Sequence, residues 1–370
     1  MKFFSMNFDF EDADSLPDGA KEDFVEALEQ ISQIDSLEQK FETLVSLAEM
    51  GNSFCCLLLG AMSFLWAENK NEYKAAYYYL KKAGGCDDVL LFSILGIMYF
   101  FGYYVKSSKK TAIRYFNKST ECSKRNNKPL FGDFTLKMLA KNKFLLGQMY
   151  LNGDGVKKDE HKGAEYLASA SSMGDSKADV ILAFMYLRGD YFQQDVEFGL
   201  DILKEASRKG CIDADLALGM IYYNGDYVSE DNDEAIFYLK RAANKDDSKA
   251  QFMLGLIYLN GESDEDLEKA FLYLKLSAAQ KNSKALVMLG GMYWRGIYVD
   301  VDTDEGLKYL STAVDLDDDS ACLALGVLLY RGDNIEQDRE KGLSLITKAA
   351  MNGYQEAINF LVDLDDSEDG

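Results

Sequence analysis

Residues Asp213 to Ala243 read DADLALGMIYYNGDYVSEDNDEAIFYLKRAA, and this stretch has the pattern of a helical hairpin. A first apolar helix pattern ends at a glycine, an acidic segment follows, and a second helix pattern ends in two alanines. One hairpin of this kind cannot bury its apolar face alone. The stretch therefore predicts that further copies of the same pattern stack against it.

Copies of the hairpin recur along most of the chain, and we use Gly219 as the anchor position for counting them. The equivalent anchors follow one another at intervals of 36, 51, 36, 36, 36, 35 and 36 residues: Gly60, Gly96, Gly147, Ala183, Gly219, Gly255, Gly290 and Gly326. Leucine precedes every anchor, and tyrosine stands three residues after six of them. Such a Leu and Tyr share one face of a helix, while a glycine between them lets another segment approach closely.

The second half of each unit has helix boundary signals. A second glycine, six residues after the anchor in every unit except the first, is typical of a left-handed helix C-cap. The next helix is predicted to begin after an N-cap about twelve residues from the anchor. These predicted caps are Glu72, Ser108, Asp159, Asp195, Asp231, Asp266, Asp302 and Asp338. A small, a large apolar and another small residue then follow at helical spacing, which favours close packing of two helices around one large side chain.

The combined pattern, LG-x-x-Y-x-x-G followed by D-x-x-x-A-x-x-x-L-x-x-A, resembles the Sel-1-like repeat (SLR) family over roughly residues 53–353. This family is a branch of the tetratricopeptide-type solenoids. The resemblance implies an all-α fold, a right-handed α-solenoid of about eight antiparallel helix-pair repeats whose first helices line the concave side. It also implies a scaffold or regulator of other proteins, with bacterial signalling, host interaction and toxin immunity all represented among its members.

The repeat positions predict the organisation of the whole chain. We expect an acidic N-terminal tail at 1–19, capping helices within 20–52, eight repeats at 53–354, and a C-terminal capping helix with an acidic tail at 355–370. The capping helices are expected at about 20–34, 36–50 and 355–363. The 51-residue interval predicts an insertion at about 123–138, after repeat 2.

Composition limits the function classes. The net charge of −22 argues against nucleic acid or an anionic membrane as the main partner, and is compatible with a basic protein partner or with solubility alone. No stretch could span a bilayer, and the first residues do not have a signal-peptide pattern. Six irregularly placed cysteines favour free thiols in the cytoplasm. With one histidine and no CxxC motif, neither a metal site nor a cofactor is expected.

One segment has the opposite charge. Between residues 103 and 145, eleven Lys and Arg stand against two acidic residues, a net charge of +9 that leaves −31 for the remainder. The insertion is either a long loop with solvated lysines or a basic docking site for an acidic partner or an acidic stretch of a second copy, so that self-association is an alternative. The candidate docking residues are Lys124, Arg125, Lys128 and Lys137.

A second candidate surface follows from the resemblance. By analogy with tetratricopeptide solenoids, the residues four and five after each anchor face the concave side. The candidates there are Phe100, Asn152, Arg188, Tyr223, Asn224, Asn260, Trp294, Arg295, Tyr330 and Arg331. Aromatic rings could bury apolar side chains of an extended peptide, while Asn and Arg bind its amides and carboxylates. Alternatively, Asn or Arg before the C-cap glycine satisfies the last helix carbonyls, and the rings pack between repeats.

Catalytic interpretations have little support. No serine or cysteine is placed as a partner for His161. Ser107-x-x-Lys110 matches the Ser-x-x-Lys string of penicillin-recognising enzymes, and some SLR relatives are associated with β-lactam binding, but no Ser-Asp-Asn or Lys-Thr-Gly follows. We therefore expect a non-enzymatic scaffold. It is either an immunity or inhibitor protein that binds a basic effector through an acidic curved surface, or an adaptor that holds peptides in the groove; a β-lactam-hydrolase-like enzyme is the third alternative.

Overall fold

The computed structural model describes residues 18–32, 34, 36–125, 132–261 and 263–368. The chain forms two compact units, residues 1–202 and 203–370. Within the described residues both units contain α-helices and no β-strand, and successive helices pack against each other in pairs. The prediction of an all-α fold built from repeated helix pairs is confirmed. Most of the expected acidic tail, residues 1–17, lies outside the described residues.

The unit of residues 1–202 contains two leading helices, the helix pairs of three repeats, and the first part of the fourth. Its helices are α1 (Asp18–Ser32), α2 (Leu37–Met50), α3 (Ser53–Leu65), α4 (Lys70–Lys82), α5 (Val89–Phe101), α6 (Lys109–Arg125), α7 (Gly132–Asn152), α8 (Glu160–Ser172) and α9 (Ser176–Arg188). A short 3-10 turn, Ala83–Gly85, follows α4. The boundary between the units lies inside α10 (Val196–Arg208).

The unit of residues 203–370 contains four complete helix pairs and a closing helix. Its helices are α11 (Ile212–Asn224), α12 (Asn232–Ala243), α13 (Ser248–Leu259), α14 (Asp264–Ala279), α15 (Ser283–Arg295), α16 (Thr303–Asp315), α17 (Asp319–Arg331), α18 (Arg339–Met351) and α19 (Gln355–Glu368). The closing helix was predicted to end at 363, and it continues to Glu368. Leu361 and Leu364, three residues apart on one face of this helix, are half-buried, and Leu361 packs against the apolar cluster that contains Ile346.

The anchor glycines make room for one large side chain from the second helix of the same repeat. A Cβ added at Gly219 would lie 2.6 Å from Cγ of Leu239, and one added at Gly290 would lie 2.8 Å from Cγ of Leu310. Both leucines are almost completely buried. The same contact recurs in five other pairs: Gly60–Leu80, Gly96–Phe116, Gly147–Leu167, Gly255–Leu274 and Gly326–Ile346. The small-large-small pattern therefore describes packing inside each helix pair.

Most predicted helix caps are present, and two N-caps and one C-cap were wrong. Asp266 does not cap α14, because Ser263 accepts the capping hydrogen bond from the Asp266 N–H. Glu72 is likewise three residues beyond the true cap, Asn69. Gly261 is not left-handed, and α13 ends at Leu259 with Asn260 as its C-cap. Only four residues separate the helices in repeats 1 and 6, against seven between α11 and α12, so each second helix begins earlier than the spacing predicted.

One repeated backbone feature was not predicted. In repeats 3 to 8 the loop after the second helix has a residue with positive φ, at 36-residue or 35-residue intervals: Gly174, Gly210, Asp246, Lys281, Asp317 and Gly353. Three of these residues are not glycine, and a side chain in this conformation costs roughly 1 kcal/mol or more. These positions recur at the repeat interval, so the sequence contained a signal for them. Only the three glycines among them indicate positive φ by their residue type.

The insertion lengthens two helices. α6 has 17 residues and α7 has 21, where α3, α5, α8 and α9 have 13 each. Residues 123–125 and 132–138 are helical, so the long-loop interpretation was wrong for them; residues 126–131 lie outside the described part of the chain. The extra turns of α7 form because Thr135 and Leu139 are buried and Phe134 and Met138 pack against the apolar core of this unit.

Apolar contacts also fix the first and last helices. In α1, Phe24 is fully buried and meets Phe54 of α3 edge to face, with ring centroids 4.7 Å apart. Asp23 in the same helix accepts a hydrogen bond of 2.7 Å from the N–H of Ser53. At the other end, Ala357 of α19 is buried in the cluster that contains Ile346. These contacts cover the apolar surfaces that the outermost repeats would otherwise expose.

Several further properties of the described residues bear on function. None of their helices combines the length and the apolar character needed to cross a membrane. They contain no group of three or more His, Cys, Asp or Glu that could hold a metal ion. All six cysteines are free and buried. Burial raises the pKa of the Cys122 thiol to about 11, so this thiol is protonated at neutral pH.

Candidate protein-binding site

The predicted Asn and Arg row occupies the ends of the first helices. Its six members are all exposed: Asn152, Arg188, Asn224, Asn260, Arg295 and Arg331. Some of them make local contacts. The Asn224 amide donates to Asp226 at 3.1 Å, and the Arg331 guanidinium lies 5.8 Å from the centroid of the Phe360 ring. Asn152 and Arg188 belong to the unit of residues 1–202 and the other four to 203–370.

Other side chains satisfy the helix-end carbonyls in several repeats. The Phe100 carbonyl accepts from the Ser107 hydroxyl at 3.1 Å, and the Leu187 carbonyl accepts from the Gln194 amide at 2.8 Å. The Tyr330 carbonyl accepts from Gln337 at 3.0 Å. The three donors stand five residues after the C-cap glycine, a regularity that the sequence analysis missed. Since these carbonyls have partners, they do not require the adjacent Asn or Arg side chains as caps.

The aromatic row is only partly open to a ligand. Phe100 is half-buried, and the Lys109 ammonium lies 3.2 Å from the centroid of its ring. Tyr330 is also half-buried and meets Phe360 of α19 edge to face, with centroids 6.2 Å apart. Tyr223 packs against the apolar cluster around Leu254. Trp294 lines a cavity of the described structure.

This cavity is an apolar groove in the unit of residues 203–370, between the first helices α13, α15 and α17. We call it the α15 groove; its volume is about 470 Å³. It is lined by Leu259, Val287, Met288, Gly290, Gly291, Met292, Trp294, Arg295, Ile297, Leu310, Ala324, Val327 and Leu328. A Cβ added at Gly291 would meet no heavy atom within 4 Å, so the groove is open above this residue. The adjacent Gly290 is closed by Leu310.

Arg295 gives the α15 groove its polarity. Of the described residues that line the groove, Arg295 alone carries a charge. Its side chain is exposed, and within the described residues it makes no ion pair at the 4.0 Å limit. A guanidinium beside an apolar wall can form two parallel hydrogen bonds to a carboxylate. The arrangement can therefore hold an apolar side chain and an adjacent carboxylate.

Three of the four predicted basic docking residues lie among the described residues. Lys124 and Arg125 end α6, and Lys137 lies on α7; Lys128 lies outside the described residues. Arg125 forms an ion pair of 3.2 Å with Asp87. Lys124 instead lines a different cavity, together with Lys143 and Lys162, which the sequence analysis did not select.

The residues considered for catalysis make ordinary structural contacts. His161 is exposed on the first turn of α8 and lies 3.4 Å from Glu165. Ser107 is exposed and donates its hydroxyl proton to the Phe100 carbonyl at 3.1 Å, while Lys110 is exposed in the first turn of α6.

Comparison with known protein families matches eight segments of the chain to the Sel1 repeat: residues 46–87, 94–123, 143–175, 176–211, 212–247, 248–282, 283–318 and 319–354. The chain belongs to the Sel1 repeat family. Proteins built from Sel1 repeats are interaction scaffolds that bind protein partners. A comparison with curated proteins finds no match.

Solved structures show the same α-solenoid class of fold. A Sel1 repeat protein from Oxalobacter formigenes is 20% identical, with 91% of this chain and 94% of that chain covered and a TM-score of 0.62. A protective antigen of uropathogenic Escherichia coli that displays an SLR fold is 18% identical, with 98% and 91% covered and a TM-score of 0.57. An immunity protein from Pseudomonas aeruginosa is 18% identical, with 56% and 74% covered and a TM-score of 0.38.

Proposed function

We propose that this chain is a non-enzymatic scaffold that binds a segment of a partner protein in the α15 groove. The observation that carries the proposal is an apolar groove of about 470 Å³ that is open above Gly291 and has the exposed cation of Arg295 beside it. Membership of the Sel1 repeat family agrees with a role in protein binding.

The lining specifies the chemistry of the bound segment. A bulky apolar side chain fits the space above Gly291, between Met288 and Trp294. Burying such a side chain contributes about 1.5–3 kcal/mol. A carboxylate next to it pairs with Arg295, and a hydrogen bond to a charged group contributes about 1.5–3 kcal/mol. We therefore expect the groove to select an apolar residue followed by a carboxylate, from an acidic side chain or a chain end.

Peptide selection with matched variants tests this proposal. Random peptides are selected on the full-length chain, and the enriched sequences are titrated against wild type, Gly291→Leu, Arg295→Ala and Arg188→Ala. Gly291→Leu fills the groove without disturbing the repeat packing, so binding should be lost. Arg295→Ala should weaken binding roughly 10- to 100-fold. Arg188→Ala removes an exposed arginine at the equivalent position of repeat 4 and should change nothing. Enriched peptides that bind Gly291→Leu as tightly as wild type would refute the groove as the site.

A second candidate function is binding of a basic protein, and one observation supports it. Residues 203–370 contain 33 Asp and Glu against 17 Lys and Arg, a net charge of −16, whereas residues 1–202 contain 29 against 23, a net charge of −6. Exposed acidic residues begin the second helices of this unit, including Asp233, Asp264 and Asp304. Carboxylates there also stabilise helix N-termini, which explains part of the charge.

The charge-led interaction has a different signature. A basic protein retained at low salt is purified and titrated against the chain at increasing NaCl concentration. Exposed ion pairs are screened by salt, so the affinity should fall steeply, and Asp233→Asn with Asp304→Asn should weaken it further. If the retained protein is an enzyme, an inhibitor function also requires that its activity falls on binding. Salt-independent binding that Gly291→Leu abolishes would instead support the α15 groove.

A further inference from the structure

A polar cavity lies between α6, α7 and α8, in the unit of residues 1–202, and its volume is about 500 Å³. Each of the three helices contributes one lysine to its lining: Lys124 from α6, Lys143 from α7 and Lys162 from α8. Hydroxyl and amide groups of Tyr166, Ser169 and Asn117 also line it. Neither the predicted docking site nor the α15 groove includes this cavity as a whole.

Lys143 is the least solvated of these cations. It is half-buried, and its ammonium donates one hydrogen bond, of 2.7 Å, to the Ser169 hydroxyl. Among the described residues no carboxylate lies within 4.0 Å of Lys124, Lys143 or Lys162. Burial, together with the like charge of Lys124, lowers the pKa of Lys143. Partial burial of a cation without a carboxylate in contact is unfavourable, and an anion bound from solution would reduce that cost.

In repeat 5, the position equivalent to Lys143 also has a charged residue, and there an oppositely charged side chain lies beside it. Lys143 stands four residues before the anchor of repeat 3, and repeat 5 has Asp215 at that position. Ser169 stands ten residues after the N-cap of the second helix of repeat 3, and repeat 5 has Arg241 at that position. Asp215 is fully buried, and its carboxylate lies 3.3 Å from Arg241. The equivalent cavity there, lined by Arg241 among others, has a volume of about 300 Å³. In repeat 3 the cation has no such partner, and the cavity is larger.

The remaining charges in the cavity limit the choice of ligand. Glu121 and Glu165 also line it, and both are exposed to solvent. The lining therefore contains three ammonium groups and two carboxylates, a net charge of +1. The least solvated of these groups is the ammonium of Lys143. No guanidinium is present to form the fork geometry that suits a carboxylate. Ammonium and hydroxyl donors that line one cavity from three helices suit a tetrahedral oxyanion, because each acts as an independent donor.

We propose that the cavity between α6, α7 and α8 binds the phosphate group of a small phosphorylated ligand, with Lys124, Lys143 and Lys162 as the cationic contacts. The Ser169 hydroxyl, which accepts from Lys143, supplies a neutral hydrogen-bond donor to the same group, whereas the Tyr166 hydroxyl donates to Asn117 at 3.3 Å. This site is separate from the protein-binding proposal, because all of its residues lie in the unit of residues 1–202.

Titration of the full-length chain with inorganic phosphate tests the proposal. Succinate is titrated in parallel, and NaCl keeps the ionic strength constant in both series. Lys143→Gln should weaken phosphate binding about tenfold or more, the usual effect of losing a hydrogen bond from a charged group. Glutamine is the residue that repeat 6 has at this position, Gln251, so the variant should fold. Lys141→Gln removes an exposed charge from the same helix, outside the cavity, and should leave binding unchanged.

Two further variants should act in opposite directions. Ser169→Glu places a carboxylate beside Lys143, as Glu205 stands at the same position in repeat 4, and should abolish phosphate binding while raising thermal stability. Glu165→Gln removes a repelling carboxylate from the lining and should tighten binding about twofold to threefold. Phosphate binding that is equal in wild type and Lys143→Gln, absent from wild type, or weaker than succinate binding would overturn the proposal.

Discussion

Two adjacent glycines in α15 provide a test of the packing argument. Gly290 and Gly291 lie in the middle of one helix, and each can be changed to alanine. A Cβ at Gly290 would lie 2.8 Å from Cγ and 3.0 Å from Cδ2 of Leu310, and 3.2 Å from the Gly306 carbonyl oxygen. A Cβ at Gly291 would have no heavy atom within 4 Å. The same substitution is therefore made one residue apart in opposite environments.

The expected effects differ in sign. Replacing glycine by alanine inside a helix gains about 0.8–1.0 kcal/mol from backbone propensity at either position. At Gly290 this gain is opposed by overpacking against Leu310, which costs about 1–3 kcal/mol. We therefore expect Gly290→Ala to lower the free energy of unfolding by about 1 kcal/mol and Gly291→Ala to raise it by a similar amount. The propensity contribution cancels in the comparison, so the difference between the two variants measures the overpacking cost.

Urea denaturation followed by tryptophan fluorescence measures both effects. The chain has two tryptophans, and Trp66→Phe leaves Trp294, on the same helix as the two glycines, as the reporter. Introducing Leu310→Ala with Gly290→Ala should cost less than the sum of the single changes, because the clash has been removed. Equal shifts for Gly290→Ala and Gly291→Ala, or strict additivity in the double variant, would refute the close contact between Gly290 and Leu310.

Three further predictions concern single groups. Asp88 is the N-cap of α5, and burial raises the pKa of its carboxyl to about 6. The native state therefore holds this proton more tightly than the unfolded chain does. The free energy of unfolding should fall as pH rises from about 4 to about 6. Asp88→Asn should remove up to about 3 kcal/mol of that decline, seen as a flatter pH dependence of the urea midpoint. Lys281→Gly should stabilise the chain by about 1 kcal/mol, because Lys281 has positive φ, whereas Lys281→Ala should not; thermal unfolding distinguishes them. Arg241→Met leaves the buried Asp215 carboxylate with the more distant Lys245, at 3.7 Å, and should cost about 2 kcal/mol in urea denaturation, and adding Asp215→Asn should recover part of it.

The fold was predictable from the sequence because the same small and large residues recur at the same spacing in each repeat. The glycine at 290 and the leucine at 310 are twenty residues apart, and the same pair of residue types recurs at that spacing in other units. Helix starts were predicted less well where a loop is shorter. In repeat 6 the cap is Ser263 and not Asp266, because the side chain that can reach a free N–H decides the cap rather than the distance from the anchor.

The candidate site was harder to predict, because repeat position gives a residue's face but not its neighbours. Trp294 and Tyr330 occupy the same position in their repeats, yet Trp294 lines a groove and Tyr330 is covered by Phe360. Gly291 was not selected from the sequence, although the groove is open above this residue. Lys143 is another case: it was counted as one of eleven basic residues, and only the structure brings it to Lys124 and Lys162.

The contact between each anchor glycine and its leucine has a consequence for how such a chain can change. Because the contact lies inside one helix pair, an in-frame duplication of residues 212–247 would copy both Gly219 and Leu239 together and keep their fit. The residue four before the anchor can then diverge independently, as Lys143, Asp215 and Gln251 already differ. Gene duplication can thus lengthen this protein without requiring a new hydrophobic core. Each added repeat can then change the residue four before its anchor, and with it the cavity beside that residue.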